Sequence, residues 1–181
     1  MGLRGRKNFV EENCFFVTTT VVNFTKIFTS SKYCDLLIEN IKHYKTKYHF
    51  KILGYVIMPT HFHWIVQTDN KYGSISDIMR DLKKYSAWDI LNEIDKGNNS
   101  DLAKVFEIYA RKYRDQKRKF WKERFDDVII RSRKFFFEKL QYIHNNPVKA
   151  KLVGKPEDYK YSSARNYKYN DHSVIFVDTD L

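Results

Sequence analysis

Residues 54–68 read GYVIMPTHFHWIVQT, and the fold turns on this stretch. Two apolar runs, Tyr55–Met58 and Trp64–Val66, are separated by Pro59-Thr60, with His61 and His63 directly after the break. A strand sends alternate side chains to opposite faces, so His61, His63, Ile65 and Gln67 share one face and Phe62, Trp64 and Val66 the other. Residues i and i+2 of a strand stand roughly 6.6–6.8 Å apart, close enough for two imidazoles to converge on one ion. A His-x-His pair in a strand is nevertheless more often ordinary than metal-binding, and zinc is a common occupant of histidine sites. A third ligand has to come from elsewhere in the chain.

Working outward, Phe50–Met58 and His61–Gln67 read as an antiparallel hairpin, although Pro-Thr is not a preferred tight-turn pair. Upstream, Cys14–Val22 (CFFVTTTVV) is dense in aromatic and β-branched residues and reads as a strand. Asn23–Phe28 reads as a connection. Ser30-Ser31 offers a cap for a helix over Lys32–Lys47, with Leu37, Ile38, Ile41 and Tyr44 as its apolar stripe. Downstream, Ser74 and Asp77 resemble a capping box with a shortened acid, opening a helix that fades by Gly97. Asp95–Ser100 is a loop by composition. Phe125–Ile130 reads as a fourth strand, and a last helix runs from Ser132 to Asn145 or Asn146, where Pro147 is expected to end it.

The order strand, helix, strand, strand, helix, strand, helix predicts an α+β fold. It is the ferredoxin-like split βαβ: an antiparallel sheet with helices on one face, plus a C-terminal helix carrying Tyr142. One domain over 1–181 is expected, with a basic arm at 1–9, a basic insertion at 96–120 and a C-terminal tail at 156–181 that physics alone gives no role.

The chain has 181 residues, a formal net charge of +11 and 43% hydrophobic content. Such a basic, globular composition points to a polyanionic partner, nucleic acid before an anionic membrane. No apolar run approaches the roughly 20 residues of a membrane helix, and no apolar segment follows the basic MGLRGRKNF start, so a cytoplasmic chain without membrane contact is expected. Cys14 and Cys34 form neither a metal spacing nor a disulfide framework. Candidate phosphate-binding residues are Arg4, Arg6 and Lys7 in the arm and Lys83 and Lys84 on the second helix. Arg111, Lys112, Arg114, Lys117 and Arg118 join them from the basic run. Tyr109, Tyr113, Phe120 and Trp121 are interleaved in that run, and basic plus aromatic is what single-stranded nucleic acid binding uses.

The last helix offers what the histidines lack. Tyr142 and Asn146 are i and i+4 neighbours on the flank of its core stripe, formed by Phe136, Leu140 and Ile143. If that helix docks on the histidine face, Asn146 supplies a carbonyl oxygen as third ligand and Tyr142 a phenol beside the ion. A phenolate is a moderate nucleophile and a moderate leaving group, so its attack on a phosphodiester can run backwards. His144 points away from Tyr142 on the helix. Among 13 tyrosines, one helix tyrosine is by itself ordinary filler.

YVIMPTHFHWIVQ, followed by LQYIHNNPVKAKLV, resembles the transposase family with a His-hydrophobic-His motif and a single catalytic tyrosine. It looks most like the branch associated with repetitive extragenic palindromes (REP); Phe120-Trp121, FDDVIIR and PEDYKYSSARNY also look like that branch. The resemblance implies that His61, His63 and Asn146 bind Mg²⁺ or Mn²⁺ and that Tyr142 is the nucleophile. It further implies single-stranded DNA folded as hairpins, a 5′-phosphotyrosine intermediate with a free 3′-hydroxyl, and contact of Arg4–Lys7 with DNA beside the hairpin foot. Related transposases include dimers with active sites built in trans and monomers, so a homodimer is one of two expected states. Two departures stand out: Asn92–Lys119 is long and highly charged for the branch, and Lys151 stands where relatives usually have glycine. Competing readings are a replication or mobilisation nuclease with related chemistry and a non-catalytic nucleic-acid-binding module.

Overall fold

Pro59-Thr60 closes a hairpin in which Met58 pairs with His61, Val56 with His63 and Tyr55 with Trp64. The structure is a computed structural model that describes residues 13–113 and 116–179. Arg4, Arg6, Lys7 and Arg114 therefore lie outside the described residues. The elements are β1 (Cys14–Thr20), α1 (Ser31–Tyr48), β2 (Lys51–Met58), β3 (His61–Gln67), α2 (Ile75–Lys96), α3 (Ser100–Ala110), β4 (Asp126–Ile129), α4 (Arg133–Lys149) and α5 (Ala164–Tyr169). The sheet order is β2-β3-β1-β4 with every neighbouring pair antiparallel, the split βαβ arrangement.

The period-2 pattern of the hairpin becomes two cores, one on each side of the sheet. Val17, Tyr55, Ile57, Phe62, Trp64 and Val66 pack with residues of α1 and α2, such as Leu37, Ile41, Ile78 and Leu82. Phe16, Val56, Met58 and Ile65 pack on the other side with Phe136, Leu140 and Ile143 of α4. Each fully buried side chain of this kind contributes roughly 1.5–3 kcal/mol, so neither face can be exchanged for the other by a register slip. The layer carrying α4 is the histidine layer. Gly54 lets that helix settle on β2, since a Cβ there would stand 2.7 Å from Leu140 Cδ1 and 3.0 Å from Ile143 Cδ1.

The capping box at Ser74 and Asp77 is present, with both reciprocal bonds, and Gly97 caps the far end of α2. Three features differ from the sequence expectation. First, α4 does not end before Pro147 but continues through it to Lys149. Proline there removes only one hydrogen bond in the final turn, and a Schellman closure follows. Leu152 N–H donates to Pro147 O at 2.9 Å and Lys151 N–H to Val148 O at 2.9 Å, with Lys151 in the left-handed region at φ 56°.

Second, Phe120 and Trp121 are core residues rather than surfaces for bases. Both are buried, and the Trp121 indole N–H donates to Ser86 Oγ at 3.1 Å. Rings this large gain more from burial than from exposure, and the flanking lysines and arginines solvate the chain around them. Third, the tail does have a structural task, which is to cover the outer edge of β2. Ile57 N–H donates to Tyr161 O, Ser163 N–H to Tyr55 O and Asp178 N–H to Ile52 O, while the Tyr159 and Tyr167 hydroxyls donate to Ile57 O and Leu53 O. An open strand edge is an aggregation template, and the tail removes this one. Among the described residues, no helix is long and apolar enough to cross a membrane.

Candidate active site

His61 and His63 project from β3 toward α4, with ring centroids 4.6 Å apart. His63 is buried; its Nδ1 is hydrogen-bonded to Thr18 Oγ1 at 2.7 Å, and its Nε2 is buried with no partner. His61 Nδ1 is likewise hydrogen-bonded to Thr60 Oγ1 at 2.9 Å. Two threonine hydroxyls thus take the two Nδ1 atoms and leave the Nε2 atoms for another partner, as the groups that orient a metal-binding imidazole do. Burial lowers the pKa of both rings; in His63 it falls to about 3, with the neighbouring His61 and Lys139 adding to the effect. Both are neutral at physiological pH, which is the form that binds a cation.

Tyr142 reaches the same layer from α4. Its ring centroid lies 5.5 Å from that of His63 and 6.0 Å from that of Phe16, edge-on to both, and the side chain is 41% exposed. Phe16 also stacks on His63 at 5.5 Å, forming a floor beneath the phenol and the imidazole. Asn146 follows one turn later, and its Nδ2 is buried without a hydrogen-bond partner. The two ends of an amide exchange by a half-turn of the side chain, which brings Oδ1 to the same place. A buried imidazole nitrogen and a buried amide, both unpartnered, are what a divalent cation with mixed N/O ligands would satisfy. Among the described residues, no cluster of three His, Cys, Asp or Glu offers a competing metal site.

His144 faces away, as its helix position requires. Its Nε2 is hydrogen-bonded to Ser163 Oγ at 2.8 Å, and burial lowers its pKa to about 4. The sequence did not single out Lys139 and Lys149, whose ammonium groups lie 5.9 and 5.8 Å from the Tyr142 ring centroid. Lys139 was findable as the i−3 neighbour of Tyr142. Thr60 was within reach as the residue preceding His61, whereas Thr18 and Phe16 were not, because they meet the site only through the β1–β3 register.

The structure does not bring the other basic candidates to this site. Lys83 is partly buried and donates to Lys122 O and Glu123 O at 2.8 Å each, and its pKa is lowered to about 8, chiefly by burial. It braces α2 against that segment. Lys84 is exposed on α2, in the layer on the far side of the sheet. Arg111, Lys112 and Lys117 are exposed after or at the end of α3, and Arg118 is paired with Asp95 at 2.7 Å.

Residues 17–146 match the "Transposase IS200 like" family, so the span from β1 to Asn146 is family sequence. The chain belongs to the IS200-like transposase family and is an enzyme of that class. A Haemophilus influenzae (strain Rd) protein whose name places it among the REP-associated tyrosine transposases is 25% identical over 158 residues, covering 87% of this chain and 83% of the relative. A solved REP-associated tyrosine transposase, bound to a REP hairpin, superposes with a TM-score of 0.65 at 21% identity. The match covers 99% of this chain and 93% of the solved one, and it shows the shared fold.

Proposed function

We propose that this transposase nicks and rejoins single-stranded DNA at hairpin-forming sequences, with Tyr142 as nucleophile and a divalent cation held by His61, His63 and Asn146. The observation that carries the reading is the buried, unpartnered Nε2 of His63, on a ring whose centroid lies 5.5 Å from that of Tyr142. Mg²⁺ or Mn²⁺ fits the donor set; when bound, such an ion polarises a phosphate oxygen and offsets charge building in the transition state.

The protein's own groups do the rest. The Tyr142 phenol loses its proton to solvent, which its partial exposure allows, and its oxygen attacks the phosphorus. The O–P bond to the tyrosine forms as the bond to the 3′-oxygen breaks, and the departing oxygen takes a proton from solvent, leaving a 5′-phosphotyrosine and a free 3′-hydroxyl. Attack by a 3′-hydroxyl on the phosphotyrosine reverses the step and joins strands. Lys139 and Lys149, one before and one after the phenol on α4, provide positive charge for the phosphate backbone. Hairpin DNA as the substrate is supported by the solved relative, whose bound ligand is a REP hairpin.

The test is a covalent-adduct assay with labelled hairpin DNA carrying single-stranded flanks, run on a denaturing gel with and without Mg²⁺ or Mn²⁺. A metal-dependent adduct is expected from the native protein and none from Tyr142→Phe, which should still bind the DNA. An adduct that survives Tyr142→Phe would remove the nucleophile from this role. Tight DNA binding with no adduct under any metal would make the protein a binding module.

A further inference from the structure

Where β1 runs out, the backbone adopts a costly conformation. Asn23 and Phe24 are consecutive left-handed residues, with φ of 54° and 50°. Non-glycine residues seldom enter that region, and a bulky one least readily. Phe24 gains no burial in exchange, since its side chain is 62% exposed. The segment is nonetheless firmly held. Val21 N–H donates to Thr60 O and Val22 N–H to Phe120 O, both at 2.9 Å, while Trp121 stacks on Phe28 at 5.7 Å. A rigid frame thus pushes an aromatic ring into solvent.

A cation stands beside that ring. Lys122 Nζ lies 3.7 Å from the Phe24 ring centroid, and Lys122 N–H donates to Thr20 O at 2.8 Å. Thr20 is the register partner of His61. Phe24 is four residues beyond Thr20, so its Cα lies within about 14 Å of that of Thr20 by the reach of an extended chain. Phe24 and Lys122 therefore sit at the histidine end of the sheet, at its rim, on segments whose neighbours Val22, Phe28 and Trp121 are anchored in the core shared with α1 and α2. A single exposed phenylalanine is ordinary. The two left-handed residues are the central pair of a turn closed by Thr25 N–H to Val22 O at 3.1 Å, but that turn favours a small or polar residue and gives no reason for an exposed phenylalanine with an ammonium on its face.

Resting on the DNA-nicking reading above, we propose that Phe24 and Lys122 form a stacking platform for an unpaired base of the strand that passes the Tyr142 site. The open face of the ring takes the base, and the ammonium takes an adjacent phosphate. Such a platform tolerates any base, because every base has a π face, and it discriminates single-stranded flank from duplex.

The test uses the full chain carrying Tyr142→Phe, so that DNA stays intact, and two probes: a blunt hairpin and the same hairpin with a single-stranded flank containing 2-aminopurine. Flank fluorescence is expected to be quenched on binding. Adding Phe24→Ala should abolish the quench and weaken binding of the flanked hairpin about 5- to 100-fold, while Phe24→Trp retains both. Binding of the blunt hairpin should change by less than about twofold, and Lys122→Ala should reduce the salt slope of flanked binding by about 0.7. Flanked binding unchanged in Phe24→Ala, or equal losses on both probes, overturns the platform while leaving the Tyr142 adduct in place. Absence of both DNA binding and adduct in the native protein removes the nicking reading and the platform together.

Discussion

Thr18 Oγ1 lies 2.7 Å from His63 Nδ1, across the β1–β3 pairing in which the two residues are register partners. This bond fixes the ring about its buried axis and reserves Nε2. Thr60 does the same for His61 at 2.9 Å, from the turn rather than from a neighbouring strand.

Thr18→Val keeps the shape of the side chain and deletes the hydroxyl. It should lower Mn²⁺ affinity about 10- to 100-fold, the usual consequence of losing such a second-layer partner, whereas Thr18→Ser should keep most of it. Isothermal titration of the metal into DNA-free protein reads this directly. Native-like Mn²⁺ binding by Thr18→Val would detach the hydroxyl from the metal site.

Lys139 packs its ammonium over Phe16 at 4.8 Å and Phe135 at 5.1 Å, which holds the charge near the Tyr142 phenol. Lys139→Ala is expected to reduce the salt slope of single-strand binding by about 0.7, the share of one phosphate contact, and Lys139→Arg to restore it. Equal slopes for the native protein and Lys139→Ala, from binding measured over a salt series, would make the lysine a packing residue only.

What the sequence disclosed, and what it withheld, divides by range. The hairpin, its alternating faces and the capping box at Ser74 are local patterns, readable because a strand repeats every two residues and a capping box pairs residues three apart. That Tyr142 and Asn146 share one helix flank was legible for the same reason, whereas the roles proposed for them came from the resemblance to the transposase family and not from periodicity. The tail on the β2 edge was not, since Tyr159 meets Ile57 across a separation of 102 residues and leaves no local trace. The basic-aromatic run misled at Phe120 and Trp121 because composition cannot say which side of the chain a ring takes. Pro147 misled because the proline rule governs a helix interior, whereas the Schellman closure around Lys151 holds the last turn.

Lys151 itself bears the strain of that closure, at φ 56° with an exposed side chain. A left-handed conformation costs an ordinary L-residue roughly 1–2 kcal/mol, and glycine is nearly free of that cost. Lys151→Gly should therefore stabilise the protein by about 1 kcal/mol, raising Tm by about 2–4 °C for a chain of this size. Differential scanning calorimetry checks it; an unchanged or lower Tm would mean that the lysine side chain contributes a compensating contact.

His144 links the same helix to acid stability. Ser163 Oγ accepts from Tyr55 N–H at 2.9 Å and donates to Tyr55 O at 3.2 Å, which leaves His144 Nε2 as the donor to the serine. The folded ring has a pKa lowered to about 4 by burial, against about 6.5 in the unfolded chain. A depressed folded value means that the unfolded state takes up the proton first. The contribution of His144 is thus complete above the unfolded pKa and is lost as pH falls toward the folded one, at about 1.4 kcal/mol per pH unit. Between pH 7.5 and 5.0 the loss from this residue should be about 2 kcal/mol, and His63 adds a loss of the same sign in metal-free protein. Urea unfolding at the two pH values should show His144→Gln losing about 2 kcal/mol less than the native chain. Equal losses in the two proteins would place the acid sensitivity elsewhere, His63 being the next residue to replace.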